Sequence, residues 1–472
     1  METKKYFVSI GMLLLFLFVV SCRSKVSQPS VPTRVASHPE SKHYSPTRLL
    51  ESDQIDFLHA SQKELFVHLS ENQDKDDVST DTFLNQVRLI SNQAIEKISS
   101  HTSSIRSWNT PLWSDGTKTW WKTVDPMKEK KEILWTDEAE TRQDQYEILP
   151  GSFVADLQNH CMLFQEQEGV FTILDGQDAS QPSLYRISHS FSTISTNADN
   201  PNNYLPSNFH KFQSGYLLIV SNYSTIPYRY IFFPLSHGKI SQPIEISIPT
   251  NNKEEWFLAD TNAQANVFVL LDFTQLIAHE NTLQFPNAPP VDEESAKVAK
   301  IVIVDLLNPE SPLVVESNVH LASAVRILSH PNGAQICIVP KYLEVHPIQT
   351  PIWNRSSNSI QTQNPVYVSL DGTIFSNPSL RFLRTDPASW LLFVSGKDSS
   401  KTGWILSCKA TSENLLMIPY QITYEDDFLI TNMVSLDNHI YYSVVNKLAY
   451  FSPMAQKNED RKVHLEMISN QP

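Results

Sequence analysis

One pattern recurs along most of this chain: a short polar turn followed by a β-rich run of five to eight residues. It occurs at SQKELFVHLS (61–70), SDGTKTWWKT (114–123), QNHCMLFQE (158–166), SGYLLIVSN (214–222), TNAQANVFVLL (261–271), PNGAQICIVP (331–340), DPASWLLFVS (386–395) and LDNHIYYSVV (436–445). The starts lie roughly 45–55 residues apart, with one wider gap of about 70 after residue 261. That gap holds AHENTLQFPNAPPVDEESAK (278–297), a polar, Pro-containing insertion expected on a loop. Further short runs rich in Val, Ile, Leu, Phe and Tyr lie between these anchors, bounded by turn residues. Asp115-Gly116, Glu168-Gly169, Asn332-Gly333 and Asn446-Lys447 read as hairpin turns.

A unit of this length with about four strands is a small twisted sheet that cannot cover both its faces alone. Packing such units side by side in a ring covers them. The spacing therefore predicts an all-β chain over 49–472, a β-propeller of seven or eight blades. Stacked β-sandwiches or an irregular all-β arrangement form the alternative. What repeats is the pattern, not the residues. The segment 49–103 is open to two readings. Phe83, Val87, Ile90, Ala94, Ile95 and Ile98 stand at nearly helical spacing, so 80–100 is either blade strand or a helix ahead of the ring.

The N-terminus carries a different signal. Lys4 and Lys5 precede an apolar run, Phe7 to Val20, broken only by Ser9 and Gly11. This is the layout of a secretory leader, too short for the ~20 residues that cross a bilayer. The run ends Val19-Val20-Ser21-Cys22, which resembles the lipobox of bacterial lipoproteins. The resemblance covers 22 residues. It implies cleavage between Ser21 and Cys22, removal of the signal peptide 1–21, and acylation (palmitate-type chains) of Cys22. Each buried CH₂ of such a chain contributes ~0.8 kcal/mol of membrane affinity. It also implies a lipid-anchored protein of the cell envelope, with Arg23 favouring the outer membrane if the cell is Gram-negative. Residues 22–48 then read as a lipidated Ser/Pro-rich tether with little to bury, reaching at most ~80 Å.

Charge and cysteine usage narrow the function. The net charge of -14 divides into +1 over 1–21, +4 over 23–48 and -19 beyond. An acidic body on a basic stalk suits an anionic membrane surface, and the same acidity excludes nucleic acid as a partner. Cys161, Cys337 and Cys408 are odd in number and each sits in or beside an apolar run. Buried free thiols are expected, with a Cys337–Cys408 disulfide as the alternative. CxxC and zinc-type spacings are missing.

Only 11 glycines occur, and no two stand as GxG. Dinucleotide, P-loop, GxSxG and HExxH patterns do not occur. Asp74, Asp76 and Asp77 lack the glycine and terminal glutamate of a calcium loop. Ser236–Lys239, Ser356–Asn358 and Lys401–Gly403 match SxxK, SxN and KTG. The first follows a strand-like run, not the helix start that an SxxK nucleophile needs. Trp108, Trp113, Trp120, Trp121 and Trp135 form the most unusual local group. They either present a ligand or partner surface or fill the space between blades. Trp120 and Trp121 are neighbours and point to opposite faces of a strand, so one is expected buried and the other partly exposed.

No catalytic residue, metal or cofactor is assigned. The expected function is a membrane-tethered envelope lipoprotein acting as a protein-binding or scaffold module, its oligomeric state open. In architecture alone it resembles the lipid-anchored propellers that help assemble outer-membrane proteins; it lacks their glycine-rich blade signatures with a recurrent Trp. The alternative is a glycan-binding or glycan-processing propeller, a hydrolase or lyase.

Overall fold

The computed structural model describes residues 42–43 and most of the chain from Pro46 to Ser469; the stretches of five or more residues outside it are 1–41, 73–82, 104–108, 126–130, 177–182, 189–204, 250–255, 273–299, 341–346, 369–380, 396–400 and 447–461. The leader, Ser21, Cys22, Trp108, the acidic group Asp74, Asp76 and Asp77, the 278–297 insertion and the Asp115-Gly116 and Glu168-Gly169 turns lie outside the described residues.

The chain forms eight sheets, six built entirely from consecutive antiparallel strands and two completed by strands from the N-terminal region. Their first strands are Gln54–Ser61, Asn109–Ser114, Val154–Asp156, Leu205–Phe212, Trp256–Asn262, Ala322–His330, Arg381–Asp386 and Phe428–Leu436. First strands pack against each other in four of the eight neighbouring pairs (3 with 4, 5 with 6, 7 with 8 and 8 with 1), which makes them the inner strands. The core shows how the sheets are joined. It divides into eight apolar clusters, and each draws its residues from two neighbouring sheets: 1 with 2, 2 with 3, and so on to 8 with 1. Eight sheets joined pairwise in a closed cycle are an eight-bladed β-propeller. Both faces of a blade are thus interior.

This explains the repeat in the sequence. Every anchor is the turn between the inner and second strands plus the second strand itself, the one flanked by sheet on both edges and by blades on both faces. In blade 5 this strand, Val267–Asp272, is buried at every position. Such a strand loses the usual alternation and reads as a continuous apolar run. The described residues of 80–100 are strand, not helix. Phe83–Ser91 and Ala94–Ser103 are the third and outer strands of blade 1. Val87 and Ile90 are buried while Ile95 is exposed, so sparse apolar positions on a half-covered outer hairpin imitate a helical stripe. The Asn446-Lys447 turn is also corrected: the strand ending at Asn446 pairs with Val463–Ser469, far beyond a two-residue loop.

Ring closure joins segments that lie far apart in sequence. Thr47–Ser52 pairs antiparallel with Val463–Ser469 and forms the outer strand of blade 8. Lys42–His43 adds a short parallel strand to the outer edge of blade 7. Strand residues therefore begin within the stretch read as tether. Charges of opposite sign face each other along the closing pair: Arg48 with Glu466 (3.8 Å), Glu51 with His464 (3.5 Å) and Asp53 with Lys462 (2.8 Å). Arg48 is 56% exposed, so its pair contributes little by itself. Burial, and then Arg48, hold His464 below the usual imidazole range. The middle pair therefore charges fully only on acidification.

The two faces of the ring differ. The strand ends joined from inner to second strands and from third to outer strands lie on one face, with no more than seven residues between them (176–182 and 306–312). The connections 73–82, 189–204, 273–299, 341–351, 362–380 and 447–462 all join strand ends on the opposite face. Seven of the eight inner strands also carry a bulge, at Asp56, Leu112, Ser207, Ala259, Ser323, Thr385 and Thr431. A bulge bends and twists its strand; here it recurs on the strands that bound the centre of the ring.

Candidate functional site

Trp113, Trp120, Trp121 and Trp135 are all buried, at 4% exposure or less. Trp120 packs toward blade 3 with Met162, Phe164 and Leu174, and Trp121 packs toward blade 1 with Phe66 and Val87. The expectation that one of these two neighbours reaches solvent fails because opposite faces of a blade are both interior. The group is a pair of inter-blade seams.

The thiols Cys161, Cys337 and Cys408 are buried and free. Cys337 and Cys408 share the seam between blades 6 and 7. Burial pushes the Cys337 thiol up to about 12 and raises the other two well above the ordinary range. None is therefore poised as a nucleophile. The SxxK, SxN and KTG matches fall on blades 4, 6 and 7. Ser236–Lys239 is a two-residue hairpin turn, with His237 and Gly238 both at positive φ (51° and 71°).

Buried and half-buried aspartates tie neighbouring blades together. Between blades 3 and 4, Asp156 at the end of an inner strand accepts the Lys211 backbone N–H (3.1 Å), while Asp175 at the end of the third strand binds Lys211 Nζ (2.7 Å) and the Tyr216 hydroxyl (2.7 Å). Between blades 5 and 6, Asp260 of the inner strand accepts the Ile327 backbone N–H (2.8 Å), while Asp305 at the end of the third strand binds Arg355 Nε (2.8 Å). In both blades an inner-strand aspartate accepts a backbone N–H from the next blade's inner strand, and the aspartate ending the third strand binds a basic side chain of the next blade. A fifth carboxylate, Glu466, accepts from the hydroxyl of Tyr442, its cross-strand neighbour in blade 8, and from that of Tyr424, which follows the outer strand of blade 7. Burial above all holds both phenols protonated, so they stay donors. A buried carboxylate without such donors is costly.

His68 is the most perturbed imidazole. It lies at the seam of blades 1 and 2, wholly buried, with Nδ1 3.3 Å from the Pro111 carbonyl oxygen. Burial lowers its pKa from 6.5 to about 4. Between those values the unfolded chain binds a proton that the folded chain refuses, so stability falls as pH drops through this window. The expected loss is roughly 3 kcal/mol between pH 7 and pH 4. Urea unfolding across this range checks it; His68→Gln should flatten the slope, and an unchanged slope would refute the assignment.

One open cleft lies on the short-turn face, between blades 5 and 6, with a volume of roughly 870 Å³. Three turns form it: 263–266, 331–332 and 355–358. Its lining includes Gln264, Ser329, His330, Asn332, Asn354, Arg355 and Ser356. The floor is rigid. Gly333 has φ 151°, and a side chain there would meet the Trp353 carbonyl oxygen. The buried Trp353 ring donates through Nε1 to Asn358 Oδ1 (3.0 Å), and the Arg355 guanidinium lies over that ring at 5.4 Å. In the sequence Asn332-Gly333 reads as a turn and Ser356–Asn358 as an SxN match. The sequence alone does not bring them together, because the two turns meet only when strands of blade 6 pair. Among the described residues no group of three His, Cys, Asp or Glu side chains has the geometry of a metal site, and no helix is long and apolar enough to cross a membrane.

No family model matches the chain, and no curated protein matches it in sequence. Solved propellers do match in fold. The WD40 domain of SCAP from fission yeast is 9% identical with a TM-score of 0.44, covering 90% of this chain and 98% of that one. The Dos1 propeller is 12% identical with a TM-score of 0.43, covering 88% and 96%. A prolyl endopeptidase is 12% identical with a TM-score of 0.41, covering 85% of this chain and 54% of its own length. The chain thus spans about half the length of that peptidase. At such identities the likeness extends to the propeller fold alone.

Proposed function

We propose that this protein is a membrane-tethered lipoprotein of the cell envelope whose propeller acts as a protein-binding scaffold. The anchor reading rests on the leader that ends at Cys22. The binding reading rests on one observation: all the long connections of the ring leave from the same face. A rigid scaffold that gathers its variable segments on one side offers them for recognition. Asp175, Asp305 and Glu466 are held within the ring by seam and cross-strand partners.

Crosslinking in intact cells, followed by purification of the full-length protein, tests both parts. The expected result is an acylated N-terminal Cys22 by mass spectrometry, and one stoichiometric protein partner. That partner should be lost when 273–299 and 362–380 are replaced by short Gly/Ser linkers, and kept when short-turn residues such as His237 are changed. A partner that survives both replacements would refute the assignment of the face. Retention of purified envelope glycan with no protein partner would transfer the function to glycan binding.

A further inference from the structure

We propose that the cleft between blades 5 and 6 is a binding site for an oxyanion, a carboxylate or phosphate group carried by a small polar ligand. It lies on the face opposite the long connections, so it stands or falls independently of the scaffold reading.

His330 Nδ1 accepts the Asn332 backbone N–H (3.2 Å), which places the ring proton on Nε2 and makes that atom a donor. Asn354 Oδ1 accepts from both the backbone N–H (3.1 Å) and the hydroxyl (2.8 Å) of Ser356. This fixes the amide orientation and leaves the NH₂ group as what Asn354 offers. Arg355 commits Nε to Asp305 and Nη2 to the Ala265 carbonyl, which leaves the Nη1 edge. Asp305 is itself fully used beneath the cleft, one oxygen by Arg355 and the other by the Leu307 backbone N–H (3.1 Å). The acceptors of the site are thus turned inward to hold its turns, and donors remain. None of the ten lining residues is acidic, in a chain with 51 Asp and Glu against 37 Lys and Arg.

A fixed guanidinium edge, an imidazole N–H and an amide NH₂, carried by the two blade 6 turns that line the cleft, suit an acceptor-only group. Donors held in place before binding lose little freedom when a ligand arrives. The cleft volume lies within the ordinary range for small-ligand sites of about 300–1,000 Å³. An open, hydrated site of this kind is expected to bind weakly, with Kd on the order of 1 mM.

Calorimetric titration of the full folded chain with inorganic phosphate, D-glucuronate and D-glucose tests the proposal. Saturable binding of phosphate, of glucuronate or of both supports it, and their order identifies which oxyanion is preferred. Equal binding of neutral glucose, or no binding of either anion, overturns it. Asn354→Asp is the decisive variant. It keeps the acceptor oxygen that holds Ser356 and exchanges only the donor for a negative charge. Thermal unfolding should be unchanged while anion affinity falls at least about tenfold. His330→Ala should weaken binding severalfold. Undiminished affinity in both variants would place the anion elsewhere.

Discussion

Replacing Trp121 with alanine is expected to destabilise the protein by about 3–5 kcal/mol, the usual cost of deleting a buried Trp or Phe ring. The seam between blades 1 and 2 makes this position critical. Its buried core has four residues, Phe66, Val87, Trp121 and Trp135, where other seams have eight or more. The two indoles stack with centroids 5.9 Å apart and planes 15° from parallel. His101 meets both edge-on, at 4.8 and 4.7 Å. Trp121 Nε1 also donates to the buried Ser99 Oγ (3.1 Å), so truncation leaves a cavity and removes that hydroxyl's donor. Trp121→Phe should recover much of the packing but not the hydrogen bond, for a smaller loss of roughly 1–2 kcal/mol. Denaturant titration followed by tryptophan fluorescence measures both. A Trp121→Ala midpoint equal to that of the parent would show that the ring does not depend on this seam.

Removing the closing strand should have a larger effect still. A chain that begins at Gln54 keeps every strand of blades 1 to 6, but blade 8 loses its outer strand and blade 7 its parallel edge strand. Leu50 leaves the seam between blades 8 and 1. Glu466 loses the Arg48 guanidinium (3.8 Å), while Asp53 and Glu51 no longer face Lys462 and His464. The strand Val463–Ser469 becomes an open edge, a template for pairing with other chains. The expected result is loss of the cooperative unfolding transition, or association into oligomers by light scattering. A synthetic peptide covering 42–53, added in trans, should restore the transition. A truncated chain that unfolds at the parent's midpoint without the peptide would show that closure does not depend on this strand.

What the sequence made legible follows from where each strand sits. Second strands are covered on both faces and both edges, so CMLF, YLLIV, NVFVLL and QICIV stand out as apolar runs and set the period. Outer strands are covered less. In blade 1 this let a hairpin pass for a helix, and in blade 6 the third and outer strands, Ile352–Asn354 and Ser359–Gln361, are too short to signal at all. The closing strand was invisible for a different reason. Thr47–Ser52 looks polar and solvated because it packs only one face, and its partner lies more than 400 residues away in sequence. The Trp group was found, but not its role: alternation says that Trp120 and Trp121 point apart, and only the ring says that both directions lead inward. The cleft depended on which turns meet, and turn residues alone carry no such address. Lipidation at Cys22 rests on the leader's residue order.

A ring closed by strands from opposite reaches of its sequence has a schedule. Blades 1 to 6 can form as the chain lengthens, each seam adding to the one before. The eighth stays unfinished until Val463–Ser469 meets both Thr47–Ser52 and His439–Asn446. Any product that stops short of that strand, by a premature stop codon or a clipped tail, leaves those two without the partner they share. The molecule therefore reports its own completeness: whole chains fill the last blade, and broken ones advertise a sticky border that proteases and folding helpers can read.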